Sequence, residues 1–215
     1  MIIPPNQDPP WLLAFLSYCH TKRYDKHVDF IRQGVPAESL YYLVEGSAAA
    51  LIEDDERRDL VLAYINKGEF IGEMGLFKPQ TTRSVVVRTR TPCRVAEITY
   101  KRLEQLFQNE LKNYAKDLLY AIGGQLSQRL LHTSRKVGHL AFLDVTGRIA
   151  RTLLELCKQP DAMTHPDGMQ IRITRQEIGR IVGCSREMAG RVLKHLEEQG
   201  LIDVKGKTIV VHGTR

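Results

Sequence analysis

The 215-residue chain is 43% hydrophobic and 26% charged, the balance of a folded protein with a core large enough for one big domain or two modest ones. Its 31 Lys/Arg against 25 Asp/Glu leave a net charge of +6, which admits nucleic acid as a partner; no run approaches the roughly 18 apolar residues of a membrane span, so a cytoplasmic protein with no membrane partner is expected. Cys19, Cys93, Cys157 and Cys184 are scattered, with no CxxC pair and no His at metal spacing, which points to reduced, mostly buried thiols and to no metal centre.

The N-terminal MIIPPNQDPPW holds four prolines and reads as a flexible arm over residues 1–11. From Phe30 to Ile98 the sequence breaks into short strands, SLYYLVEGSAAALIE, DLVLAYINKGEFIG and RSVVVRTRTPCRVAEIT, punctuated by Gly34, Gly46, Gly68 and Pro92. Short antiparallel strands at this spacing predict a β-roll or jelly roll, assigned to residues 12–111. Inside it FIGEMGLFKPQTTRS sets Gly72-Glu73 ten residues before Arg83-Ser84. Either the glutamate and arginine form an ion pair in an irregular loop, or both converge on something they bind.

After Tyr100 the pattern turns helical, and residues 112–143 read as a dimerisation helix and hinge. Gly123, Leu126, Leu130, Thr133, Val137 and Leu140 follow one another at intervals of 3, 4, 3, 4 and 3, a coiled-coil seam that a homodimer would cover. Gly123 and Gly124 are adjacent inside it, each at a cost of about 1 kcal/mol relative to alanine. They either loosen the unliganded dimer or permit closer approach of its helices.

Residues 144–215 form the third segment. Between Arg172 and Arg215 nine Lys/Arg face five Asp/Glu, so about a fifth of the chain carries +4 of the +6. After the turn-rich THPDG, TRQEIGRIVGCSREMAGRVLKHLEEQG opens with Thr174 and Glu177 at capping-box spacing, runs helical through Val182 and breaks at Gly183. A second helix begins near Ser185. Its apolar positions Ala189, Val192, Leu193 and Leu196 take one face, leaving Arg186, Glu187, Gly190, Arg191 and Lys194 on the other. LIDVKGKTIVVHGTR then reads as two strands about Lys205-Gly206-Lys207. Helix, glycine turn, helix and basic hairpin in series define a winged helix-turn-helix. Arg186 and Arg191 suit guanine O6 and N7 in a major groove, and Glu187 suits a cytosine amino group. Arg175, Gln176, Ser185, Lys194, Lys205 and Lys207 complete the candidate DNA-contacting set.

The stretches GEFIGEMGLF, RSVVVRTR, VAEI, LAFLDVTGRIA, KQPDAMTHPDGMQI and TRQEIGRIVGCSRE together resemble the cAMP receptor protein type of the CRP/FNR family of bacterial transcription regulators, over nearly all the chain after the arm. That resemblance implies an α+β protein: a cyclic-nucleotide-binding roll, a long helix pairing two subunits, and a winged helix-turn-helix on a palindromic DNA site. It also implies cAMP as the allosteric ligand. Arg83 suits the cyclic phosphate, because guanidinium offers charge and a fork of donors, and Ser84 adds a hydroxyl or backbone N–H. Glu73 suits the ribose 2′-OH, with Gly72 admitting close approach. The family further implies that Arg129 supports the pocket and that Thr133 and, from the partner subunit, Ser134 read the purine amino group. Thr133 is otherwise a polar seam residue that fixes register. The recognition helix departs from the familiar pattern, with Met188 and Ala189 in place of Thr and Val.

By the same resemblance DAMTHPDG, through Thr164, His165 and Gly168, contacts RNA polymerase, and His20, Lys22 and Arg102 form a second, basic contact. EDDERRD adds Asp54, Asp55 and Glu56 as a third candidate, or else as a solvated hairpin tip whose charges discourage edge pairing. The seven histidines form no His-x-His pair, which argues against a metal enzyme on the roll, and a lone Cys19 against a redox sensor. The rival reading is a regulator of the same fold controlled by cyclic di-GMP or cGMP, or binding DNA constitutively.

Overall fold

A computed structural model describes residues 8–53, 59–78 and 82–214. Contacts divide the chain into two compact units, one from residues up to 53 together with 61–132, the other mainly from residue 133 onward.

The first unit opens with α1 (Pro10–Ser17), which begins with Pro10 at a position where a missing N–H costs no helical bond. Trp11 stacks on Phe70 at a centroid distance of 6.5 Å. Pro10 and Trp11 thus belong to the folded unit and not to the expected arm.

The strands β1 (His20–Tyr24), β2 (Asp29–Ile31), β3 (Ser39–Glu45), β4 (Ser47–Glu53), β5 (Asp59–Asn66) and β6 (Phe70–Ile71) precede the single-turn helix α2 (Met74–Phe77); β7 (Val86–Thr89) and β8 (Cys93–Thr99) follow it. They form two four-stranded sheets, ordered β1-β8-β3-β6 and β2-β7-β4-β5. Alternating inward residues of both sheets, among them Ile31, Leu43, Ala48, Val87 and Val95, pack as one cluster, as a roll requires. β1 had no counterpart in the sequence reading, because HTKRY is polar throughout and mostly exposed.

Thr99 caps α3 (Tyr100–Gln108) by accepting from the Arg102 N–H at 3.2 Å. The long α4 (Ala115–Phe142) then contributes Leu118 and Ile122 to a second cluster containing Phe15, Leu40, Phe70, Leu103 and Leu106. Packing therefore carries the first unit beyond the expected boundary at residue 111. Gln125 secures this join: its side-chain amide accepts from the Phe70 N–H at 2.7 Å and donates to the Phe70 carbonyl at 2.8 Å, as a neighbouring strand would. Leu130, Val137 and Leu140 of the seam are exposed on the single chain.

The second unit contains α5 (Val145–Leu156), capped by Asp144, then a hairpin of β9 (Met163–His165) and β10 (Gly168–Arg172). THPDG is the tip of that hairpin. α6 (Arg175–Val182) starts in a complete Thr174–Glu177 capping box and ends at Gly183, whose φ of 71° is the left-handed conformation favouring glycine. Ser185 caps α7 (Arg186–Glu198), and β11 (Ile202–Lys205) and β12 (Thr208–His212) finish the chain in a sheet ordered β11-β12-β10-β9. Ile149, Leu153, Ile178, Val182, Ala189, Leu193 and Leu196 are buried here, so the apolar face read for α7 is its packed face. Arg148 donates to the carbonyls of Leu143 and Val182 at 3.0 and 3.3 Å, tying the residue after α4 to the end of α6.

Candidate nucleotide site and nucleic-acid interface

The turn after β6 and the segment before β7 bring Gly72, Glu73 and Arg83 together. Arg83 is fixed through its backbone: its N–H donates to Val35 and its carbonyl accepts from Gly34, both at 2.8 Å. Arg83 is 7% exposed, yet among the described residues its side chain meets only neutral groups. Nη1 donates to Tyr100 Oη at 3.1 Å, Nη2 donates to the Ser39 carbonyl, and the guanidinium lies 5.5 Å from the Tyr41 ring centroid and 6.0 Å from that of Tyr100. A buried cation supported by a carbonyl, a phenol and two ring faces keeps its charge uncompensated, which suits an anionic ligand.

Tyr100 serves two neighbours at once, donating to the Gly72 carbonyl at 2.6 Å while accepting from Arg83. Gly72 has φ 82°, and a Cβ there would lie 2.4 Å from Arg83 Nη1. The glycine is required both by its conformation and by the arginine packed on it.

Glu73 and Arg83 form no ion pair. Glu73, 4% exposed, instead accepts from Arg129 Nη1 at 2.6 Å, and Arg129 Nη2 reaches Glu69 at 3.1 Å and the Phe70 carbonyl at 2.8 Å. The other carboxylate oxygen of Glu73 is bonded to no group among the described residues, so an acceptor remains beside the buried cation. Ser84 is exposed in the adjoining bend. Thr133 and Ser134 are exposed on α4 one turn past Arg129 and fall in the second unit. Tyr100, Ser39, Tyr41 and Glu69 were not singled out from sequence. Ser39 acts through its carbonyl and has no sequence signature.

Arg186, Glu187, Arg191 and Lys194 are exposed on α7, as are His195, Glu197 and Glu198 in its last turn. Arg186 and Arg191, with Arg175, Lys205 and Lys207, pair with no carboxylate among the described residues, whereas Lys194 lies 3.8 Å from Glu198. Arg175 at the start of α6 packs its stem on Gly190, where a Cβ would lie 3.4 Å from Arg175 Cδ. This brings Arg175 to the exposed face of α7. Gln176 follows it, exposed. Glu187 is held below the usual carboxylate range by its own backbone N–H and the Ser185 hydroxyl, with Arg186 and Arg191 adding to the effect. Glu187 is therefore a ready acceptor for an amino group. The hairpin of β11 and β12 is fastened to α7 by the Val204 N–H, which donates to Glu197 at 2.9 Å.

Of the residues assigned to polymerase contact, Thr164 and His165 lie on β9 and Gly168 opens β10, where a Cβ would come within 2.0 Å of the Val211 carbonyl. Packing thus suffices to require that glycine. His20 and Lys22 share one face of β1, and Lys22 is paired with Glu97 at 2.9 Å; Arg102 lies in the first turn of α3. Asp54, Asp55 and Glu56 lie outside the described residues.

A roll with a buried arginine and a buried glutamate brought together from two segments, followed by a winged helix-turn-helix, defines a DNA-binding regulator with a cyclic-nucleotide-binding domain. A family model described as "Cyclic nucleotide-binding domain" matches residues 21–110, and one described as "Crp-like helix-turn-helix domain" matches residues 147–214. The chain is 57% identical over the full length of both sequences to a "cAMP-activated global transcriptional regulator CRP" of Salmonella typhimurium. It is also 57% identical to the "CRP-like protein Clp" of Xanthomonas euvesicatoria, over 94% of this chain and 87% of that one. A solved structure of the c-di-GMP responsive global regulator CLP of Xanthomonas campestris matches with a TM-score of 0.92 and 55% identity, over 96% of this chain and all of that one. The chain belongs to the cAMP receptor protein (CRP) family of transcription regulators, binds DNA and is not an enzyme.

Proposed function

We propose that this regulator is a homodimer that answers to cAMP, binds a palindromic DNA site and contacts RNA polymerase in the cytoplasm. The observation that carries the ligand assignment is the buried Arg83 with only neutral partners, next to the free carboxylate oxygen of Glu73. A cyclic mononucleotide offers one anion and one ribose hydroxyl, which matches one uncompensated cation and one acceptor. Arg83 takes the phosphate with Ser84, and Glu73, oriented by Arg129, takes the 2′-OH. Thr133 of one subunit and Ser134 of the other read the adenine amino group.

Dimerisation is supported by the seam residues Leu130, Val137 and Leu140, exposed by 68%, 60% and 57% on a helix whose earlier turns are packed. With nucleotide bridging two subunits, ligand favours the dimer geometry that sets two α7 helices in successive major grooves, roughly 34 Å apart. The polymerase contacts proposed are Thr164, His165 and Gly168, the basic His20, Lys22 and Arg102, and the acidic Asp54, Asp55 and Glu56.

A second reading, cyclic di-GMP as ligand, is favoured by the likeness to the c-di-GMP responsive regulator. Against it, a dinucleotide brings two phosphates, while among the described residues Arg83 is the one buried cation without a carboxylate, Arg129 being engaged by Glu69 and Glu73. Calorimetric titration with cAMP, cGMP and cyclic di-GMP separates the readings. Tightest binding of cAMP, lost in Arg83→Ala, is expected; binding of cyclic di-GMP alone would transfer the site to the second reading.

A further inference from the structure

His212 ends β12 at the base of the wing, and each of its ring nitrogens faces an oxygen. Nδ1 lies 2.8 Å from the Gly200 carbonyl and Nε2 lies 3.0 Å from Asp203 Oδ2. A carbonyl and a carboxylate only accept, so satisfying both takes two ring N–H groups, and a neutral imidazole carries one. The three groups come from different parts of the domain: Gly200 from the exit of α7, Asp203 from β11 and His212 from β12. The His212 backbone N–H also donates to Leu201 at 3.0 Å, and Gly213 donates to the Asp167 carbonyl at 3.2 Å, so the ring sits where helix exit, wing and the β9–β10 turn meet.

We propose that His212, as an imidazolium, is a positioning residue that locks the wing to the exit of the recognition helix and makes DNA binding by this chain stronger at lower pH. The proposal rests on the wing forming part of the DNA interface. The charges acting on the ring are Asp203 on β11 and Asp167 in the β9–β10 turn, both anionic; Asp167 also lies 3.5 Å from His165. The His212 pKa is raised, first by the hydrogen bond to Gly200 and then by that to Asp203, with both carboxylate charges adding. A raised folded value fixes the sign. The lock is complete below the unfolded value of about 6.5 and is lost as pH rises through the folded value above it. Its exposure keeps the effect modest.

The test follows the His212 ring by NMR titration of the full-length protein, together with affinity for a palindromic duplex at pH 6 and pH 8 in saturating cAMP. The ring is expected to titrate above 6.5, and Asp203→Asn to lower its midpoint. Wild type should gain about two- to fivefold more affinity between pH 8 and pH 6 than His212→Gln. A midpoint at or below 6.5, or the same pH ratio in wild type and His212→Gln, would overturn the proposal. Lys205→Ala keeps the two ideas apart. If it leaves affinity unchanged, the wing does not touch DNA and the DNA half of the proposal fails, whereas the NMR midpoint reports on the lock whether or not DNA or nucleotide is bound.

Discussion

Arg129 on α4 holds Glu73 at 2.6 Å, while Arg83, ten residues along from that glutamate, bonds Tyr100 and the Ser39 carbonyl. The carboxylate is thus oriented by a helix cation and the roll's own arginine stays uncompensated. An ion pair between Glu73 and Arg83 would have neutralised both; the observed arrangement leaves one positive and one accepting group where the turn after β6 meets the segment before β7.

Removing Arg83 tests that division. Arg83→Ala should weaken cyclic-nucleotide binding by at least tenfold, since a charge-assisted hydrogen bond contributes about 1.5–3 kcal/mol. The ligand-free protein should not lose thermal stability, because the substitution deletes a buried cation that has no anionic partner among the described residues. Calorimetry and a thermal scan read the two effects separately. Unchanged affinity in a folded variant would sink the assignment of the phosphate site.

Gly72→Ala should act on the same arginine from the other side. A side chain at φ 82° costs about 1–2 kcal/mol, and its Cβ at 2.4 Å from Nη1 must push Arg83 aside. Nucleotide affinity is therefore expected to fall by more than the loss in unfolding free energy. A loss of stability with full retention of affinity would show that Arg83 placement is not needed for binding.

Gln125→Leu should strip the Phe70 N–H of its partner at the sheet edge, where only the carbonyl keeps a bond, to Arg129. A buried or half-buried donor left unmade costs about 1–3 kcal/mol, and amide exchange at Phe70 should accelerate. Denaturant unfolding of Gln125→Leu beside the exposed neighbour Gln128→Leu is the check. Equal stability of the two variants would contradict the role given to Gln125.

On the DNA side, Arg191→Ala is expected to cost roughly 1–3 kcal/mol and to relax preference at one base pair of each half-site. Lys205→Ala in the wing should weaken all sequences alike and flatten the salt dependence. Binding-site selection with both variants distinguishes base readout from phosphate contact, and identical preference profiles would contradict the distinction.

What the sequence disclosed was mostly what is settled within a few residues. The capping box of Thr174 and Glu177, the break at Gly183 and the helix start near Ser185 each depend on neighbours at most five positions away, and all lie where the spacing placed them; the left-handed φ of Gly183 and the Ser185 cap are the geometry behind them. The hairpin of β9 and β10 was read only as its THPDG turn, because strands of three and five residues carry too little alternation to register. The partners of the candidate site were hidden for a different reason. Tyr100 lies 17 residues from Arg83, Ser39 lies 44 away and acts through a backbone carbonyl, and Gln125 lies 55 from Phe70. Composition marks none of these, since a tyrosine that shares a proton network and one that only packs are the same letter.

The join between Gln125 and Phe70 also orders events in time. A ribosome adding about 5–20 residues per second delivers Gln125 roughly 3 to 11 s after Phe70, the strand residue whose edge it closes. During that interval the nascent roll presents an open strand edge, and Leu118 and Ile122, which complete its core, are also still to come. The first unit therefore reaches its finished state only after part of α4 has been made. A fragment stopped at residue 111 corresponds to a stage of synthesis, and its exposed edge makes it a species that chaperones would recognise.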